Sequence, residues 1–254
     1  MRQPSIPFFA EVLRKTGISR DASVLVVCGG EFDRDVLRDS GFTNVTISNL
    51  DERVRGDEFA PFAWSYQDAE TLALSNGSFD YVMVHAGLHH CASPHRALLE
   101  MYRVARKGIL VIEARDSILM RAAIAAGRVP SYEAAAVRAH NCRYGGVRNT
   151  STPNFIYRWT ESEVKKTVAS YAPQAAHSII FYYGLRVPSE RIPFRSSRIL
   201  KWLSPIVEQG VRVTARLWRS QGNQFGFYIR RPTEDQLFPW MTSFTEYNPD
   251  YHGI

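Results

Sequence analysis

Val24, Leu25, Val26 and Val27 form an unbroken apolar run that passes through Cys28 into Gly29 and Gly30, and then into an acidic start, Glu31, Phe32, Asp33. A continuous apolar run is what a strand covered on both faces requires. A strand that turns on glycines into a helix lets backbone approach a nucleotide-like ligand with no side chain in the way. The same glycines would also serve an ordinary tight turn. The spacing is not G-x-G-x-x-G, and acids stand where a pyrophosphate would sit. The turn therefore points to a ligand with a ribose and no pyrophosphate, and it disfavours a nicotinamide-dependent oxidoreductase.

The rest of the first half repeats this strand-helix alternation. Apolar runs predict strands over 23–28, 44–48, 63–66, 79–85 and 108–113, with helices over 5–17 and 31–40. A further helix opens at Pro94, with Ala97, Leu98, Met101 and Val104 at helical spacing. Such alternation predicts an α/β fold with a parallel sheet and right-handed crossovers. Ligands bind beyond the carboxyl ends of such strands. Those ends carry Cys28-Gly29-Gly30, Asn49-Leu50-Asp51, Gln67-Asp68-Ala69, His85-Ala86-Gly87 and Glu113-Ala114-Arg115.

After residue 115 the pattern changes. A short apolar helix is expected over 117–126, and 128–158 contains Pro130, Gly145, Gly146 and Pro153 without long periodicity. Residues 116–158 therefore read as a substrate cap inserted in one domain that spans 1–254. Thr160 and Glu163 form a capping box for a helix running to Tyr171. Strands at 175–183 and 224–230 would bring the sheet to seven, with a basic helical stretch over 195–219 between them. The aromatic, acidic tail 233–254 is expected to wrap the body.

With 254 residues and 45% apolar content, the chain can build a core without metals or disulfides. The three cysteines, Cys28, Cys91 and Cys142, match no zinc spacing, no metal-ligand cluster stands out, and a reducing, cytoplasmic setting follows. No apolar run has the length of a signal peptide or a membrane span. The net charge of +6 comes mainly from arginines scattered from Arg2 to Arg231, which reads as a solvated surface rather than a nucleic-acid footprint.

The order of these segments resembles the class I S-adenosylmethionine-dependent methyltransferases, and within them the bacterial small-molecule group called type 11. The resemblance covers roughly residues 20–115. It rests on the turn at 24–30, on Asn49 and Asp51, on Asp68-Ala69-Glu70 with Leu72, on Asn76-Gly77-Ser78-Phe79-Asp80, and on Leu88-His89-His90. It implies a Rossmann-like seven-stranded, mostly parallel sheet and S-adenosylmethionine as the cofactor. It also implies methyl transfer (the EC 2.1.1 class) to a small acceptor. There are departures. The family's acid in the middle of strand one is Val26, its first turn glycine is Cys28, and its third is Phe32. Contact with the methionine ammonium then falls to Glu31 or Asp33.

The resemblance assigns Cys28, Gly29, Gly30, Asp68, Ala69 and His85 to the cofactor, with Asn49 or Asp51 on the ribose hydroxyls and Asp68 on the adenine amine. His89 and His90 follow strand four on the acceptor face, and a neutral histidine there can take a proton from a hydroxyl. His90 is the preferred base of the two. His140 and His177 are alternative bases, and His95 belongs to the same histidine cluster. Arg143, Tyr144, Arg148, Asn149, Tyr157 and Arg158 fall in the cap, where guanidinium forks and aromatic faces suit a sugar or an anionic acceptor. The stretch from Gly145 to Glu161 is similar to bacterial methyltransferases of surface-glycan biosynthesis. The expected activity is direct, metal-independent, in-line methyl transfer to a hydroxyl of a sugar or other small polar metabolite. A non-catalytic binding module of the same fold and an RNA methyltransferase are the alternatives.

Overall fold

The computed structural model describes residues 7–186, 210, 213 and 218–253. The basic stretch expected over 195–219 lies almost wholly outside them, as do residues 5 and 6 of the expected first helix. Seven strands form one sheet: β1 (Val24–Val26), β2 (Val45–Asn49), β3 (Ala63–Tyr66), β4 (Phe79–His85), β5 (Ala105–Ala114), β6 (Ile179–Gly184) and β7 (Gln224–Arg230). Their order is β3-β2-β1-β4-β5-β7-β6. The pairs from β3 to β5 are parallel, while β7 runs antiparallel to both β5 and β6. The sheet is thus the seven-stranded, mostly parallel one that the resemblance implies, and its parallel half is the one that the apolar runs predict.

Each central strand divides its side chains between two cores, as the two-residue period dictates. Leu25 and Val27 join a core with Val82, Ile109 and Phe227, under α3 (Pro94–Val104) and α6 (Glu161–Tyr171). Val24 and Val26 join the opposite core with Met83, Leu110 and Tyr228, under α1 (Phe8–Thr16) and α2 (Glu31–Asp39). Helix α1 buries Phe9, Val12 and Leu13 and ends at Gly17, whose φ of 69° is the left-handed stop that glycine allows. Each fully buried Leu, Val or Phe in these cores contributes about 1.5–3 kcal/mol.

Element boundaries depart from the sequence reading by more than one residue at three strands. The ladder of β1 stops at Val26 because Cys28 turns at φ 52°. Strand β5 starts at Ala105 rather than 108, since the chain passes from α3 into the ladder with no intervening loop. Strand β6 starts at Ile179, because Ala175 is drawn into an isolated bridge with Leu237 of the tail.

Between β5 and α6 lie α4 (Ile118–Ala125) and α5 (Ala134–Ala139). Ser117 caps α4 by accepting from the Met120 N–H at 3.2 Å. Helix α5 is not evident in the sequence, being only six residues long. No helix among the described residues is long and apolar enough to cross a membrane.

Candidate functional site

The glycine turn works through sterics. Cys28 takes up the positive φ that a turn glycine usually supplies, at a cost of about 1–3 kcal/mol. A Cβ on Gly29 would stand 2.7 Å from Ile47 Cγ2 and 2.9 Å from Val26 Cγ1, so this position admits no side chain. Gly30 has open space around it and φ −137°; it serves as the helix N-cap rather than as a steric necessity. Its N–H donates to Asp33 Oδ2 at 2.8 Å. Burial pushes the Asp33 carboxyl up to about 7, against the hydrogen bonds from Gly30 and its own backbone. Its other oxygen, Oδ1, has no hydrogen-bond partner and faces His85 Nδ1 at 3.7 Å.

A cleft of about 230 Å³ opens at the carboxyl ends of β1, β2 and β3. Of the residues expected to hold cofactor, Cys28, Asn49, Asp51, Asp68 and Ala69 line it. The Cys28 thiol is pushed well up by its contact with Cys91 and by burial, so it stays neutral. Asn49 uses its amide within the protein: Nδ2 donates to the Gly29 carbonyl at 2.9 Å and Oδ1 accepts from the Asp51 N–H at 3.0 Å. Asp51 faces the cleft and pairs with Arg53, whose Nε donates to Oδ1 at 2.7 Å and holds the Asp51 carboxyl below its usual range. That guanidinium lies 3.9 Å over the Tyr144 ring. His85 does not line the cleft; it is stacked on Phe9 and tilted against Phe32.

Arg148 closes one side of this cleft. Its Nη2 donates to Asp68 Oδ2 at 2.7 Å and its Nη1 to Glu70 Oε2 at 2.9 Å. Arg148 and Asn149 both have positive φ, 51° and 58°, in a short turn over Val147–Asn149. Glu70 also accepts from the Ala92 and Ser93 N–H groups, at 3.0 and 2.8 Å, and so ties the loop before α3 to the end of β3.

The remaining cap candidates separate. Asn149 lines the cleft, whereas Arg143 is exposed and is not among the lining residues. Arg158 donates to the carbonyls of Ile156 and Pro130, at 3.0 and 2.9 Å, tying two cap segments together. Tyr157 hydrogen-bonds Glu163 and packs edge-on to His95 and Trp159, outside the cleft. His95 pairs with Glu163 at 3.1 Å, bracing α3 against α6. His177 meets the Tyr102 hydroxyl at 2.6 Å, at the end of the sheet away from the cleft. His140 is exposed, with Nδ1 at 2.8 Å from the Ala136 carbonyl.

The two histidines after β4 occupy different settings. His89 Nδ1 lies 2.9 Å from Glu113 Oε2, and its Nε2 lies 3.2 Å from Glu133 Oε2. Burial alone would lower the His89 pKa; the carboxylates on its two sides outweigh that and hold it up to about 10. His89 is therefore charged at neutral pH and accepts no proton. His90 lines the cleft, and burial together with the neighbouring His89 charge lowers its pKa, so it is neutral. Glu113 belongs to the strand ends that the sequence places at the ligand-facing rim, without a role of its own; Glu133, in an aperiodic segment, gives no local signal.

Residues 26–112 match the family model of a methyltransferase domain. The matched stretch is similar in sequence to a methyltransferase domain. Among solved structures, it is similar to a SAM-dependent methyltransferase from Thermotoga maritima, at 14% identity and a TM-score of 0.51 over 88% of this chain and 89% of that one. It is similar to the YcgJ protein from Bacillus subtilis, at 12% identity and a TM-score of 0.52 over 88% and 98%. It is also similar to the magnesium protoporphyrin IX methyltransferase from Synechocystis, solved with bound SAH, at 13% identity and a TM-score of 0.50 over 91% and 90%. At these identities the likeness is one of fold. No curated protein matches the sequence. The matched stretch runs from Val26, the last residue of β1, to Ile112 within β5, and it includes every strand end that lines the cleft.

Proposed function

We propose that this chain binds S-adenosylmethionine in the cleft and transfers its methyl group to a hydroxyl of a sugar or other small polar metabolite. The observation that carries this reading is the pair of acids, Asp51 and Asp68, at neighbouring strand ends beside the glycine turn. Asp51 is the acceptor for the ribose hydroxyls, because Asn49 already uses its amide on the turn. Asp68 is the acceptor for the adenine amine, with the Ala69 backbone beside it. Asp33 is the acid for the methionine ammonium that strand one lacks at Val26; its unpartnered Oδ1 supports that role.

The sulfonium cofactor arrives activated, so the protein has to align the acceptor oxygen with the methyl group and exclude water. Alignment supplies up to about 7–11 kcal/mol of the barrier in ideal cases. In the metal-free protein, neutral His90 on the cleft wall takes the acceptor proton, while His89 is held by Glu113 and Glu133. Tyr144, Arg148 and Asn149 of the 116–158 cap stand beside the cleft as acceptor contacts. A sugar of surface-glycan biosynthesis is the acceptor class suggested by the resemblance over Gly145 to Glu161.

Calorimetric titration of the full chain with S-adenosylmethionine and with its demethylated product tests the reading, followed by methyl transfer to a panel of sugars. Saturable binding of both and methylation of a sugar hydroxyl are expected. No binding at millimolar cofactor would leave only a non-catalytic fold, and salt-dependent methylation of structured RNA would move the acceptor to nucleic acid.

A further inference from the structure

We propose that His89, His90 and Glu133 form a binding site for one divalent transition-metal ion of the zinc class. Two segments far apart in sequence bring them together: the turn after β4 supplies both imidazoles, and the residue preceding α5 supplies the carboxylate. Glu133 Oε2 stands 3.2 Å from His89 Nε2 and 3.5 Å from His90 Nε2, and one ligand atom from each of the three residues falls within 4.8 Å of the others. Ligand atoms about 2.0–2.2 Å from a tetrahedral zinc ion lie roughly 3.3–3.6 Å from one another. Two of the three separations already stand at or close to that spacing, and the third, within 4.8 Å, closes by about 1.5 Å at most.

The second observation is the support behind His89. Its Nδ1 lies 2.9 Å from Oε2 of Glu113, a carboxylate with no exposed side-chain surface. The other Glu113 oxygen accepts the Leu88 N–H at 2.7 Å, so the carboxylate is fixed from both sides. Metal-bound histidines characteristically donate their second ring N–H to such a carboxylate, which sets the tautomer and aims the ligating nitrogen. Here that arrangement leaves Nε2 directed at Glu133, and a bound ion takes the place of the Nε2 proton, which is released to solvent. Two imidazoles and one carboxylate fill three positions and leave a fourth open. His90 also lines the cleft, which puts the ion at the cleft wall. The sequence gives no hint of this set, because Glu133 sits in the aperiodic cap and the cysteine spacings point away from metal. The site stands independently of the methyl-transfer reading, since metal binding alone reports its occupation.

The test is titration of the chelator-stripped full chain with cobalt(II) as a visible probe, then with zinc as a competitor. One ion per chain is expected, with d–d absorption, no thiolate-to-cobalt band, and displacement by zinc. His90→Ala and Glu133→Gln, at partly exposed positions that leave the core intact, should each abolish one-to-one binding while circular dichroism stays unchanged. Glu113→Gln should weaken binding about 10- to 100-fold, as loss of an outer-shell carboxylate does. The proposal fails if the folded wild-type chain binds no stoichiometric ion, if both ligand variants bind as wild type does, or if a thiolate band puts the ion on Cys28, Cys91 or Cys142.

Discussion

Arg148 Nη2 lies 2.7 Å from Asp68 Oδ2, so the carboxylate proposed to receive the adenine amine is already engaged by the cap. The guanidinium is 45% exposed at its side chain, which limits the strength of the pair to about 0.2–1 kcal/mol. In the proposed binding mode, cofactor entry displaces it. Arg148→Ala should tighten binding of the demethylated cofactor by up to about five-fold in calorimetry, the equivalent of that ion pair. Weaker binding would make Arg148 itself a cofactor contact, and unchanged binding would mean that its pair with Asp68 does not compete with the cofactor.

Asp51 and Asp68 should be separable from the acceptor side. Loss of a hydrogen bond to a charged group costs about 1.5–3 kcal/mol. Asp51→Ala and Asp68→Ala are each expected to weaken cofactor binding about 10- to 150-fold with the melting temperature nearly unchanged. In contrast, His90→Ala should lower kcat with little effect on cofactor affinity. Full turnover by the His90 variant would remove it from proton transfer.

Asp33 makes folding stability depend on pH in an unusual direction. Its carboxyl titrates near 3.8 when unfolded and at about 7 when folded. Below about pH 4 both states hold the proton and the residue carries no penalty. As pH rises between these values the unfolded chain releases the proton more readily, so folding loses stability, on the order of a few kcal/mol by pH 7. Asn at this position still accepts from the Gly30 N–H and carries no charge. Thermal melts across this range should show the wild type falling relative to Asp33→Asn; parallel curves would place Asp33 in contact with water.

The two turn glycines predict opposite outcomes. Gly29→Ala forces a Cβ against Ile47 and Val26 and should cost about 1–3 kcal/mol, as overpacking of a tight site does. Gly30→Ala meets nothing within 4 Å and should melt close to wild type. Differential scanning calorimetry of the pair distinguishes a steric turn from a merely flexible one.

The parallel half of the sheet is legible because its strands are continuous apolar runs whose ends can be counted off. The cleft acids Asp51 and Asp68 follow from those ends. Less legible is whatever depends on pairing across distant segments. Nothing near His89 announces Glu113 or Glu133, and nothing near Asp68 announces that Arg148 will reach it. Asn49 and Asp51 are equivalent candidates in the sequence; only the hydrogen bonds of Asn49 to the turn distinguish them. Arg158 and Tyr157 look like acceptor contacts by residue type, but their partners are carbonyls and Glu163, and packing rather than polarity decides their positions. Helix α5 escapes notice because six residues hold less than two full turns of periodicity.

Strand β7 joins the sheet between β5 and β6, although it is the last strand made. Until it is synthesised, Leu110 and Ile112 lack Tyr228 and Gly226 beside them, and the full length of β5 is an open edge. An open apolar edge is a template for pairing with other chains. A ribosome-bound or truncated chain that ends near residue 115 therefore contains all of the methyltransferase match and most of the cleft, yet it exposes a sticky seam. Expression of residues 1–115 should yield aggregate, and co-expression with the remaining segment should restore a soluble complex.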